Sequence, residues 1–197
     1  MTTADGSAKK GMSESEDAPM SDSEDASNNS GSDGSRNEVR TLSEAAQRVQ
    51  DALRSGGFAN TVLELDVPVR TAAAAAEAVG CTPAQIVKSL VFQGAVSGVP
   101  VLVVASGGHR VSETRLAALL GEPVAMGPAK FVREVTGFAI GGIPPIAHTR
   151  TLDTIVDAHL LRLGDLWAAA GHPNSVFKLT GDELVRMTNG RVAEVAE

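Results

Sequence analysis

Ile86-Val87-Lys88-Ser89-Leu90-Val91-Phe92, then the turn Gly94 to Gly98, then Val99-Pro100-Val101-Leu102-Val103-Val104-Ala105: this stretch decides the fold class. Both flanks are apolar and rich in β-branched residues, and both have the length of a strand. The second run is the longest apolar candidate in the chain and falls far short of the ~20 residues that a membrane span needs.

Outward from this pair, helical and strand signals alternate. On the N-terminal side, Leu42, Ala45, Ala46, Val49, Ala52 and Leu53 recur at helical spacing up to Ser55-Gly56-Gly57. Val62, Leu63 and Leu65 suggest a short strand, and the alanine-rich Thr71 to Val79 a helix closed by Gly80, with Thr82-Pro83 opening a capped turn. On the C-terminal side, Ser112 caps a helix through Leu120, Pro123 to Met126 reads as a strand, and Pro128 to Val135 as a helix ending at Gly137. Strands are expected at 138–140, 154–156, 166–169, 176–179 and 192–195, with a helix from Asp182 to Met187 capped by Thr180. The short connections suit hairpins as well as crossovers, so a mixed α/β domain fits better than a doubly wound parallel sheet.

A chain of 197 residues is one domain, or one domain with a tail. Residues 1–37 carry only Ala and Met as apolar residues and a net charge of −5, which predicts a disordered acidic, Ser-rich tail. Residues 38–197 carry a net charge of −2 and form the expected domain. With so little basic excess, DNA is not an expected partner, and any nucleic acid must be held by a local site. Aromatic residues make up 3% of the chain, which argues against a base-stacking platform. Lys9 and Lys10 lead into acidic sequence rather than an apolar leader, so a cytoplasmic location is expected. The single cysteine, Cys81, excludes an intramolecular disulfide and has no nucleophile motif around it.

Lys88 is the one charge in an apolar strand, in a region where arginine is otherwise the ordinary cation. Two readings stand: a site cation met by an anion or a carbonyl array, or a strand lysine whose stem carries its charge out to water. Gly137 to Pro145 ends in Gly141-Gly142-Ile143-Pro144-Pro145, a loop that either lets a ligand approach the backbone or simply turns the chain. It matches neither the phosphate-binding loop nor the dinucleotide fingerprint. His109, His148, His159 and His172 lie far apart without zinc-ligand spacing, so neither a metal nor a cofactor is expected.

Taken in order, Gln85 to Phe92, Gly137 to Pro145, Asp157 and Ala169-Ala170-Gly171-His172-Pro173, the chain resembles the YbaK-type aminoacyl-tRNA deacylases. That family is related to the editing domain inserted in some bacterial prolyl-tRNA synthetases. The resemblance covers roughly residues 42 to 197. It implies a mixed α/β fold, with a largely antiparallel sheet or barrel-like core and surrounding helices. It implies a hydrolase that cleaves the ester of mischarged aminoacyl-tRNA, with tRNA(Pro) carrying Cys or Ala as the foremost substrates. Lys88, Gly141 and Gly142 then take catalytic places, the two glycines through backbone N–H groups aimed at the acyl oxygen. Ile143, Pro144, Pro145, Asp157, Gly171 and His172 take substrate-binding places. The implied partners are the tRNA 3′ aminoacyl end and a prolyl-tRNA synthetase, with no membrane. Many members carry Ser before the last loop proline, where this chain has Pro144. No general base stands out, which leaves a substrate hydroxyl, a substrate thiol or a positioned water to do the nucleophilic work. A reading from another class is a non-catalytic module that binds aminoacyl-tRNA or an aminoacyl adenylate beside a synthetase.

Overall fold

Ser43 starts the first helix by accepting a hydrogen bond from the Ala46 N–H, and its own N–H donates to Glu64 Oε1 at 2.9 Å. The structure, a computed structural model, describes residues 41–197; the expected tail over 1–37 lies outside the described residues. Helix α1 (Glu44–Ser55) lays Ala46, Val49 and Leu53 into the core. A short strand β1 (Val62–Glu64) follows. Helix α2 (Ala72–Val79) begins at the Thr71 cap and ends at Gly80, and a single 3-10 turn at Pro83–Gln85 leads into β2 (Ile86–Gly94).

Next come β3 (Pro100–Ser106), α3 (Glu113–Leu120), β4 (Val124–Met126) and α4 (Ala129–Thr136). The chain closes with β5 (Asp153–Asp157), a 3-10 turn Ala158–Arg162, β6 (Asp165–Ala169), β7 (Ser175–Thr180), α5 (Gly181–Thr188) and β8 (Arg191–Ala193). Thr180 and Glu183 form a reciprocal capping box at the start of α5.

Eight strands make one mixed sheet in the order β1-β7-β6-β2-β3-β5-β8, with β4 beside β2. Neighbouring pairs β1·β7, β2·β3, β2·β4 and β6·β7 are antiparallel, and β2·β6, β3·β5 and β5·β8 are parallel. The continuous apolar run of β3 is explained by burial on both faces, since Val101 through Ser106 are all buried. One face carries Val87, Val91, Leu102 and Val104 and is covered by α1, α4 and α5. On the other, Phe92, Val101, Val103 and Ala105 meet Leu116 of α3, and Ile86 meets Ala75 and Ala76 of α2.

Two features of the sheet make room for a site. β3 pairs with β2 from Val87 to Gln93 along one edge. On the opposite edge, β6 pairs only with Ile86 and Val87, and β4 only with Phe92 to Gly94. Lys88 to Val91 therefore face a window in the sheet with no strand beside them. The second feature is a row across three strands: Lys88 pairs with Ala105, and the parallel register of β3 and β5 brings Asp157 level with Ala105. The small Ala105 leaves space for the lysine stem between the two charged residues.

The strand expected at 138–140 is absent. Gly137 closes α4 in a left-handed conformation, and the Phe138 N–H donates to Thr136 Oγ1 at 3.0 Å instead of to a strand. Phe138 owes its apolar signal to burial under the Arg48 guanidinium, 3.8 Å from the ring centroid. The last strand stops at Ala193; Val195 is fully buried, and Ala196 bridges back to Val111. Among the described residues, no helix is long and apolar enough to cross a membrane.

Candidate functional site

The window beside β2 opens into a cavity of about 280 Å³. Its floor is the free edge of β2 from Val87 to Val91; Ala72, Ala75 and Trp167 form one wall, and Ile140, Gly141, Ile143 and His172 the other. Arg70, exposed and directly before the Thr71 cap, stands at the rim. The lining is mostly apolar with a few polar groups converging on it, the usual make-up of a small-molecule pocket. No group of His, Cys, Asp and Glu able to hold a metal occurs among the described residues.

Lys88 lines this cavity and donates from Nζ to the His109 carbonyl at 2.6 Å. Burial, and then the nearby Arg110 charge, push its pKa below the ordinary lysine range, while the Asp157 carboxylate works the other way. The half-buried stem turns its ammonium onto this backbone carbonyl. Asp157 itself is fully buried and is not part of the cavity wall. Its Oδ1 accepts from the His159 N–H at 3.1 Å, and its Oδ2 is buried with no hydrogen-bond partner among the described residues. Asp157 therefore stands behind Lys88 rather than against a ligand. The His109 and His159 rings pack at 4.3 Å beside this pair.

The glycine loop divides its labour differently from the sequence expectation. The Gly142 N–H is already donated to the Ala139 carbonyl at 3.2 Å, so it is not the free donor that was expected. The Gly141 and Ile143 N–H groups on either side make no hydrogen bond among the described residues, and both residues line the cavity. Gly141 sits at φ 98, open to solvent, a conformation that residues with a Cβ rarely adopt. The Gly142 carbonyl accepts from the Gly171 N–H at 2.9 Å, which seams this loop to the turn carrying His172. Pro144 and Pro145 are buried and lie off the cavity wall.

Of the expected site residues, the fold thus brings Lys88, Gly141, Ile143 and His172 onto one cavity. It places Gly142 and Gly171 at the seam behind it, and Pro144, Pro145 and Asp157 as supports. Sequence reading missed Arg70, Ser89 and Trp167, all of which line the cavity. The one signal for Trp167 was its being the sole tryptophan of the chain. Ser89 follows Lys88 on the open edge, and its Oγ is buried without a partner among the described residues.

A model of the aminoacyl-tRNA editing domain matches residues 66–187, a span that holds β2, the glycine loop and His172. The chain belongs to this family. Two curated relatives are similar to this editing domain: "Uncharacterized protein YwhH" of Bacillus subtilis (strain 168), 31% identical over 68% of this chain and 84% of its own, and "Putative Cys-tRNA(Pro)/Cys-tRNA(Cys) deacylase EbsC" of Enterococcus faecalis (strain ATCC 700802 / V583), 28% identical over 64% and 76%. A solved structure described as "a putative trans-editing enzyme for prolyl tRNA synthetase" is 43% identical, with a TM-score of 0.76 over 80% of this chain and 99% of that one. The mixed sheet with surrounding helices is thus shared with a structure of substantial sequence identity.

The editing domain's glycine loop is anchored from behind by His148, whose Nε2–H donates to the Pro144 carbonyl at 2.8 Å. Burial, foremost, pushes this imidazole's pKa below the ordinary histidine value, and the Pro144 bond offsets only part of that. A depressed folded-state pKa means that the unfolded chain takes up the proton first as pH falls. The stability linked to His148 is thus fully present above the unfolded value and is lost as pH falls from there towards the folded one. Between about pH 8 and about pH 5, which brackets the ordinary imidazole value, the wild-type melting temperature should fall further than that of His148→Gln. Equal falls would show that the buried ring is not the titrating group.

Proposed function

We propose that this editing domain hydrolyses the ester that joins a wrong amino acid to the 3′ end of a tRNA, with tRNA(Pro) carrying Cys or Ala as its foremost substrate. The carrying observation is the convergence, on one largely apolar cavity at the open edge of β2, of a cation (Lys88), two unengaged backbone donors (Gly141 and Ile143) and an imidazole (His172). The words attached to EbsC and to the trans-editing structure support the same substrate class. We propose residues 38–197 as the unit that carries the activity.

Physical need and geometry agree. A synthetase pocket separates amino acids that differ by a methylene by only ~1–3 kcal/mol, so a second, hydrolytic sieve raises fidelity where binding alone falls short. In the tetrahedral transition state the acyl oxygen gains negative charge. The Gly141 and Ile143 N–H groups, held by the loop on a largely apolar cavity, stabilise that charge without having to reorient. The acyl side chain lies on the apolar floor, Lys88 holds the anionic or carbonyl part of the aminoacyl-adenosine, and the rim guanidinium of Arg70 meets the last phosphate. A net charge of −2 over residues 38–197 suits a protein that takes the end of the tRNA and not its whole body.

The test is single-turnover deacylation of Cys-tRNA(Pro), Ala-tRNA(Pro) and correctly charged Pro-tRNA(Pro), with Trp167 fluorescence reporting binding separately. Turnover of the first two with Pro-tRNA(Pro) spared is the expected result. A fluorescence change without turnover of any of the three would replace the enzyme by a binding module.

A further inference from the structure

The nucleophile still needs a proton acceptor, and the sequence offered none. We propose that His172 is that general base, held in one tautomer by Asn174; the assignment rests on the deacylase reading above. His172 lines the cavity and is exposed to it from the turn between β6 and β7. Its Nδ1 is hydrogen-bonded to Asn174 Oδ1. The amide's orientation is set by the Leu65 carbonyl, an acceptor only, to which Asn174 Nδ2 donates at 3.4 Å; this turns Oδ1 to the ring. An amide oxygen only accepts, so the proton of the neutral ring lies on Nδ1 and Nε2 carries the lone pair. Among the described residues nothing occupies Nε2.

The position of the ring completes the argument. A Cβ added to Gly142 would lie 3.0 Å from both the N and the Cα of His172, so the backbone of the glycine loop touches the backbone that carries the imidazole. The unengaged donors at Gly141 and Ile143 flank that point of contact. A base next to a pair of oxyanion donors on one cavity is the grouping that acyl transfer uses. The support runs further back: Ser175 Oγ lies 3.4 Å from Asn174 Oδ1 and 3.3 Å from Glu64 Oε1, and that carboxylate is fixed by the Ser43 N–H. An amide-oriented imidazole is the same division of roles that a triad uses, with Asn174 as the orienting member.

The step balances without any further reagent. Nε2 takes a proton from a water as its oxygen bonds to the acyl carbon, and the carbonyl π electrons move onto the acyl oxygen under the two N–H donors. The oxyanion then collapses, the bond from the acyl carbon to the ribose oxygen breaks, and the leaving oxygen takes the proton from the imidazolium. The amino acid departs as its carboxylate and the tRNA recovers its hydroxyl, one proton passing to solvent.

Single-turnover deacylation with Trp167 titrations tests this in the full chain. His172→Ala should lower the limiting rate by ~10²–10⁴, the range for a lost general base, with binding within a few-fold of wild type and with partial recovery on adding free imidazole. Asn174→Ala should cost about tenfold, the scale of one lost hydrogen bond, in rate and not in binding. Asn174→Asp, which keeps an acceptor oxygen, should recover most of that loss. A folded His172→Ala that turns over at the wild-type rate, or whose deficit lies wholly in binding, overturns the assignment and leaves the deacylase reading standing. A wild-type protein that hydrolyses none of the charged tRNAs overturns both.

Discussion

Lys88→Met should lower the single-turnover rate of ester hydrolysis by about 10²–10³, the loss typical when one preorganised electrostatic contact to the reacting centre is removed. Methionine keeps an unbranched stem in the groove over Ala105 and removes only the charge and the hydrogen bond to the His109 carbonyl. Stability should fall as well, by about 1–3 kcal/mol, because Asp157 then stays buried without its neighbouring cation. The two effects can be separated. Adding Asp157→Asn to Lys88→Met should recover much of the stability and none of the rate. Lys88→Arg should remain slow, since a planar guanidinium does not replace a compact ammonium that fits against a single carbonyl. Full activity in Lys88→Met, with a melting temperature that drops all the same, would make the lysine a structural cation and remove it from the chemistry.

Gly142→Ala should be nearly as damaging, for a reason that only the fold shows. The new methyl would meet the His172 N and Cα at 3.0 Å and the Gly171 carbonyl carbon at 3.1 Å. All three are backbone atoms, so the clash cannot be relieved by turning a side chain. The loops must separate, which stretches the 2.9 Å bond from Gly171 N–H to the Gly142 carbonyl and moves the Gly141 and Ile143 donors away from the imidazole. A misplacement of about 1 Å is enough to cost roughly 10²-fold in rate. Overpacking should also lower stability by about 1–3 kcal/mol. Gly141→Ala is the informative comparison: its methyl meets no protein atom, so its cost to stability is confined to the positive φ, and any further loss of rate reports a clash with the bound ester. A Gly142→Ala protein that raises only the half-saturating substrate concentration would place the seam outside the transition-state contacts.

Most of the elements were legible because their signals are local. Thr71, Ser112 and Thr180 announce helices with the hydroxyl that caps them, and Gly80 and Gly121 end two of them in left-handed turns. Lys88 stood out for an equally local reason, as one charge within an apolar strand. The segment 138–140 misled because two different roles produce apolar residues there, Phe138 buried under Arg48 and Ile140 on the cavity wall, while the hydrogen bond that settles the matter belongs to Thr136. What could not be read was adjacency. Trp167 reaches the cavity because β6 runs parallel to β2 and pairs it with Ile86, some eighty positions earlier in the chain. Asn174 becomes an orienting group only once the turn after β6 folds against Leu65. Nor does any sequence pattern disclose that the Gly142 N–H is spent on Ala139, which leaves its two neighbours as the available donors.

The window beside β2 also has a history within each molecule's own synthesis. β3 emerges from the ribosome directly after β2 and closes one edge at once, and β4 soon covers Phe92 to Gly94 on the other, but β6, which pairs Ile86 and Val87 on that second edge, starts only at Asp165, and β7, which braces β6 in turn, ends at Thr180. At ~5–20 residues per second, the Ile86–Val87 end of this apolar β edge waits several seconds for β6, and parallel pairings across such separations form slowly. A nascent chain cut off before Asp165 should therefore bind chaperones or aggregate, whereas one extended past Thr180 should resist protease; equal protease resistance of the two lengths would count against it. The opening that admits a ligand in the finished protein is, during translation, the place most exposed to pairing with another chain.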